Sequence, residues 1–226
     1  MSGTAKGVVV EFDFAAMNGA QLLFDVAQRY LKDLDGIGLD MPTEEKYLVG
    51  RTYEEGLARY FKVVKTKKTA PKAARELAAA FSAAVSEVVP KSVSTGFRNF
   101  VTAIADRGVK VMISTRANPE AAAEAFASLL VENVSLYREV SPGYGCPRWD
   151  SWRRACMAND VARANAIAVA GSGCGVKSAL LAGMASMAVM KERVAHQDYT
   201  GASLVVNDLS AASAKKLLAY LNVLPK

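Results

Sequence analysis

Three short apolar runs constrain this chain more than any other feature. Val8-Val9-Val10-Glu11-Phe12 stops at Asp13, and Val109-Lys110-Val111-Met112-Ile113 stops at Ser114-Thr115. Ala166-Ile167-Ala168-Val169-Ala170 stops at Gly171-Ser172-Gly173-Cys174-Gly175. β-Branched apolar runs of this length read as strands buried on both faces. Ser186 to Met190 and Ser203 to Val206 supply a fourth and a fifth candidate. Helical patterns separate the later runs. Phe97, Phe100, Val101 and Ile104 share one helix face, and Pro119 opens a helix reaching about Glu132. Further helices are expected over Asp150 to about Asn159, Val176 to Leu181, and Ser210 to about Leu221, where Ser210 suits an N-cap. Strand–helix–strand alternation implies a parallel sheet with helices on both faces.

Residues 18–90 break that alternation. Gln21 to Leu34, Glu44 to Val49, Tyr53 to Val64 and Lys72 to Val88 all carry helical patterns, with no strand between them. The expected architecture is therefore an α/β, Rossmann-like three-layer core with a parallel sheet, formed by residues 1–17 and 91–226. An all-helical cap, residues 18–90, is inserted into it. Lys62, Lys65, Lys67, Lys68 and Lys72 read as an exposed helix end and loop of that insertion.

Composition limits the chemistry. A single histidine, His196, and three cysteines exclude a zinc finger, a disulfide framework and a histidine-rich metal site. Catalysis would have to run on carboxylates, lysines or hydroxyls. The net charge of +6 is spread out, with no basic run interleaved with aromatics, so no nucleic-acid partner is expected. No apolar run is long enough for a membrane span or signal peptide, and the cysteine usage fits a reducing, cytoplasmic setting. His196 reads as an exposed structural residue, Trp149 and Trp152 as packing residues, and Cys146 and Cys174 as small pocket-facing residues.

Ligands of an open α/β sheet bind outside the carboxyl ends of its strands. Here those ends carry Asp13, Ser114-Thr115 and Gly171 to Gly175, with Cys146-Pro147-Arg148 ahead of a later helix. The arrangement resembles the haloacid dehalogenase superfamily, in its helical-cap phosphatase and phosphoglucomutase-like branch. Phe12-Asp13-Phe14 is similar to the strand-end motif that holds the nucleophilic aspartate. Met112-Ile113-Ser114-Thr115 is similar to the second motif, whose hydroxyl binds the transferring phosphoryl group. Ala170 to Met184 aligns without a gap on the last motif, and Cys146-Pro147-Arg148-Trp149-Asp150 falls on the lysine motif.

The resemblance implies a nucleophile at Asp13, which is also the one weak candidate for a magnesium ligand. It implies a phosphate contact from Ser114, with Thr115, Arg148 and Ser172 as further candidates to bind phosphate. The departures from the motifs carry as much weight. Ala15 stands where the family has its general acid/base aspartate, Cys146 where it has a lysine, and Gly171 where it has a magnesium-binding aspartate. Loss of the acid/base alone removes roughly 10²–10⁴ in rate. Magnesium prefers carboxylate oxygens in an octahedral shell, so without a carboxylate at Gly171 the magnesium site is expected to be depleted. Two other registers stay open. Glu11 and Asp13 can be read as the acidic pair, since residues two apart on a strand share a face. Asp-x-Ala also resembles the phosphonatase branch, which uses a cap lysine.

Two functions are expected from this pattern. In the first, the site is degraded and the protein is catalytically weak or inactive, acting by binding a ligand, a protein partner or a second copy. In the second, it is an active phosphohydrolase on a small phosphorylated metabolite, with Asp13 attacking and Arg148 standing in for the lost lysine. The glycine-rich turn before Val176 offers backbone amides at a helix start that could hold a phosphate or other anion in either case.

Overall fold

The computed structural model describes residues 5–36, 38–49, 51–138 and 148–224, the side chain of residue 35 excepted. Six strands form one parallel sheet: β1 (Gly7–Glu11), β2 (Lys110–Thr115), β3 (Val134–Arg138), β4 (Ala166–Ala170), β5 (Ala185–Val189) and β6 (Leu204–Val206). Their order is β3-β2-β1-β4-β5-β6, and every pairing is parallel. Five of these strands follow the apolar runs. β3 does not, because Val134-Ser135-Leu136-Tyr137-Arg138 lies at the sheet edge and is only half covered. An edge strand needs fewer apolar residues than a central one, so its pattern is weak in the sequence.

Side chains of β1 alternate between two apolar layers. Val8 and Val10 face the layer containing α5 (Thr95–Ala105), α6 (Pro119–Phe126) and α9 (Ala211–Val223). Val9 faces α7 (Trp149–Met157) and α8 (Gly173–Leu181), against Trp152, Ala155 and Val176. Between β1 and α5 lie four helices: α1 (Gly19–Asp35), α2 (Met41–Tyr47), α3 (Tyr53–Val64) and α4 (Ala70–Ser92). Leu31, Leu57, Leu77 and Phe81 of this cap belong to the same apolar cluster as Val10 and Phe12. The cap is therefore welded to the sheet by a continuous core.

Local signals start the helices where the chain needs them. The Thr52 and Glu55 side chains cap each other's backbone at the head of α3. Asp40, Ser94, Asn118 and Ser172 each accept from a first-turn amide of α2, α5, α6 and α8. After Glu11 the backbone makes one wide turn, Phe12–Ala16, closed by the Met17 amide on the Phe12 carbonyl at 3.1 Å. That turn sits at the carboxyl ends of the central strands and carries Asp13.

Candidate functional site

Strand register brings Glu11, Ser114 and the start of the α8 loop to one ridge. Glu11, the last residue of β1, pairs in register with Ser114 of β2. Asp13 lies two residues further, inside the turn, and is 0% exposed. Its Oδ1 accepts from the Thr115 hydroxyl at 2.7 Å, and its Oδ2 accepts from the Arg116 amide at 2.8 Å and from Arg116 Nη1 at 3.3 Å. Both carboxylate oxygens are thus engaged. The Arg116 guanidinium stacks against Phe14, 5.5 Å from the ring centre, and against Phe81 of α4 at 5.8 Å. The cap covers this ion pair directly. Ser82 of α4 donates to the Arg116 carbonyl at 2.6 Å, and Ser86 accepts from the Asn118 amide at 2.9 Å.

Glu11 is equally buried. Its Oε2 accepts from the Gly171 amide at 3.1 Å, while its Oε1 is buried without a hydrogen-bond partner among the described residues. Burial drives the Glu11 carboxyl well above its ordinary range, against the opposing pull of Arg116. Asp13 is also raised by burial, with Arg116 and the Thr115 hydrogen bond opposing. One guanidinium therefore serves two sequestered carboxyls.

Gly171 explains itself sterically. A Cβ there would sit 2.1 Å from the Phe14 carbonyl carbon, 2.3 Å from its oxygen and 2.4 Å from the Ala15 nitrogen. The backbone of the Phe12–Ala16 turn occupies the space a side chain would need. Ala15, itself buried, forms part of that wall.

The remaining sequence candidates are dispersed. Ser114 and Thr115 are buried at the end of β2, and Thr115 is committed to Asp13 and to the Ala117 amide at 3.1 Å. Arg148, expected near Asp13, instead pairs with Asp150 at 3.3 Å and lines an outer groove with Trp149 and Lys177. The cation on Asp13 is Arg116, which sequence reasoning missed although it directly follows Ser114-Thr115. Ser172 caps α8 by accepting from the Gly175 amide, and Gln197 accepts from the Gly173 amide at 2.8 Å. With the Gly171 amide on Glu11, most of the expected amide cradle is already filled from within. Cys146 lies outside the described residues. Cys174 is half-buried and lines the cleft between cap and core. Cys156 is a core residue whose thiol burial pushes up to about 11. Trp152 packs as expected and donates to Ser178 Oγ at 2.7 Å.

A second cluster joins cap to core beside that cleft. Arg193, after β5, pairs with Glu44 of α2 and stacks over Phe24, 4.7 Å from the ring centre. Next to it, His196 Nε2 lies 3.2 Å from Glu45. Lys191 donates to the Ala16 carbonyl at 3.0 Å. Burial raises the Glu44 carboxyl to about 7, and Arg193 opposes the rise.

No protein-family model matches the sequence, and no curated protein matches it either. Solved structures do match in three dimensions. CbbY from Rhodobacter sphaeroides, in complex with phosphate, superposes with a TM-score of 0.67 at 18% identity, covering 92% of this chain and 96% of that one. β-Phosphoglucomutase from Clostridium difficile gives 0.68 at 15% identity, covering 97% and 98%. A phosphonoacetaldehyde hydrolase-like protein from Oleispira antarctica gives 0.70 at 15% identity, covering 98% and 94%. The chain has the haloacid dehalogenase fold.

That fold implies magnesium, and the residues present do not fit it. The position expected to supply a carboxylate is Gly171, where the Phe14–Ala15 backbone leaves no room. Both Asp13 oxygens are taken by Thr115 and Arg116. Among the described residues, no group of three or more acidic, histidine or cysteine side chains is placed to hold a metal ion.

Proposed function

We propose that this chain is a haloacid dehalogenase-fold protein without phosphoryl-transfer activity. It acts as a binding protein through the cleft between its helical cap, residues 18–90, and its core, residues 1–17 and 91–226. One observation carries the reading: Asp13, the candidate nucleophile, is fully buried with both oxygens held by Thr115 and Arg116. A nucleophile must reach its electrophile to within ~3–3.5 Å, and here the Arg116 guanidinium, packed under Phe81, is paired with Asp13. The guanidinium supplies the positive charge that a metal ion would otherwise bring, and it is part of the chain.

The lost groups support the same conclusion. With Ala15 at the acid/base position and Gly171 at the metal position, the residues that protonate a leaving group and hold a metal in the family are replaced. Relatives in fold carry phosphate, as the Rhodobacter CbbY complex does, and a haloacid dehalogenase family hydrolase from Deinococcus radiodurans carries phosphate and sodium. In this chain the strand-end Asp13 is held by the chain's own Thr115 and Arg116. No described helix is long and apolar enough to cross a membrane, and a cytoplasmic site of action remains part of the proposal.

The test is phosphate release from a panel of phosphomonoesters, p-nitrophenyl phosphate and hexose monophosphates included, with and without magnesium, beside Asp13→Asn. Rates equal to the protein-free control are expected for both proteins. Magnesium-dependent hydrolysis that disappears in Asp13→Asn would sink the reading.

A further inference from the structure

The cleft beneath the Lys191–His196 segment has a chemical character of its own. Its inner walls are apolar: Phe14, Leu23, Leu48, Val49 and Val194 line it, and neither Asp13, Ser114 nor Thr115 does. Most cations around it are already neutralised. Arg193 pairs with Glu44, Lys177 with Asp198 at 3.0 Å, and Arg148 with Asp150.

Arg51 is different. Its Nη1 donates to the carbonyls of Lys46 at 3.1 Å and Val49 at 3.4 Å, which fixes the side chain at the end of α2. Among the described residues no carboxylate pairs with it. It lines both the inner pocket and the outer groove, so it stands at the junction between them. A second guanidinium, Arg193, also lines the inner pocket. Arg193 Nε is buried and has no hydrogen-bond partner among the described residues. Buried donors without acceptors are uncommon and costly, and a guanidinium without a carboxylate partner at the mouth of a largely apolar pocket points to an acceptor that arrives with a ligand. Glu44, raised to about 7 by burial, carries less than a full negative charge near neutral pH, which leaves the pocket more hospitable to an anion.

We infer that this cleft binds a small monocarboxylate with an apolar body, its head on Arg51 and its body against Leu23, Leu48 and Val49. Carboxylate rather than phosphate follows from the surroundings: Glu44 and Glu45 also line the pocket and disfavour a dianion there, and the amides of the α8 turn that would suit a phosphate are engaged by Ser172, Gln197 and Glu11. The inference rests on the proposal that the strand-end carboxyls do no chemistry, and it extends that proposal by naming the ligand class.

The test is isothermal titration of the full chain with hexanoate, hexanol and hexyl phosphate, repeated on Arg51→Gln and Ala20→Phe. Ala20 lines the inner pocket on α1, so a larger ring there fills it. Hexanoate is expected to bind the wild type, with hexanol and hexyl phosphate each weaker by at least about tenfold. Arg51→Gln should weaken hexanoate by roughly tenfold to a hundredfold, as expected for one charge-assisted contact, and Ala20→Phe should remove binding. Thermal melts establish that both variants are folded. Absence of hexanoate binding to the wild type overturns the inference. So does undiminished binding in folded Arg51→Gln or Ala20→Phe, or a preference for hexyl phosphate. Release of inorganic phosphate from hexyl phosphate would instead refute the proposal of an inert site, and is read separately.

Discussion

Gly171→Ala isolates the claim that the chain's own backbone fills the metal corner. The added Cβ would lie 2.1 Å from the Phe14 carbonyl carbon and 2.4 Å from the Ala15 nitrogen. Unstrained carbon contacts lie at about 3.5–4.0 Å, so the turn or β4 must retreat by more than ~1 Å. Neither contact is the flexible end of a side chain. Overpacking of a close-packed interior costs about 1–3 kcal/mol, and backbone displacement belongs at the upper end. Movement also endangers the Gly171 amide bond to Glu11. For a chain of this size each kcal/mol lowers the melting temperature by about 2–4 °C, so a fall of roughly 6–12 °C is expected at the upper-end cost of about 3 kcal/mol. The assay is a circular-dichroism melt beside Gly38→Ala, whose Cβ would meet nothing within 4 Å. Gly38→Ala should melt at or slightly above the wild type, because it trims only unfolded-state entropy. If Gly171→Ala melts with Gly38→Ala, the corner is open and the steric argument fails.

Other expectations follow from the same geometry. Arg116→Leu leaves the Glu11 and Asp13 carboxyls without their shared cation and should cost about 3–5 kcal/mol in chemical denaturation at neutral pH, with a smaller loss in acid, where both carboxyls are neutral. Stability of the wild type should decline as pH rises from about 5 to 8 in denaturation titrations. Glu11, Asp13 and Glu44 all have raised native values, so above the ordinary carboxylate range the native state holds protons the unfolded state has released, and raising pH favours unfolding. A flat or rising profile over that interval contradicts the assignment. Ser178→Ala strands the buried Trp152 Nε1 donor and should cost about 1–3 kcal/mol, visible as a lower denaturation midpoint.

Much of the fold is legible in the sequence, because central parallel strands are buried on both faces and must be apolar throughout. Val8 to Val10 and Ala166 to Ala170 announce themselves for that reason. β3 is hidden because an edge strand can mix Ser135 and Tyr137 with Val134 and Leu136. The site is legible only in part. Asp13, Ser114, Thr115, Ala15 and Gly171 stand out by their places after strands, and the loss of a carboxylate at Gly171 is plain in the residue itself. What replaces it is not. Arg116 becomes visible as a partner only once the turn Phe12–Ala16 folds Asp13 back toward β2. Arg148 was the nearer cation in motif terms, yet Asp150 at two residues' distance captures it. The cleft residues Glu44, Arg51 and Arg193 lie far apart in sequence and carry no motif. Only the packing of α2 against the segment after β5 makes them neighbours.

The most direct test of the central claim asks whether any strand-end carboxyl can be phosphorylated. The protein is incubated with acetyl phosphate and magnesium, quenched in acid, and weighed intact, with peptide mapping of any adduct. A buried structural ion pair predicts no mass increase beyond the unmodified chain. A phosphoryl group mapped to Asp13 or Glu11 would show a working nucleophile and contradict it.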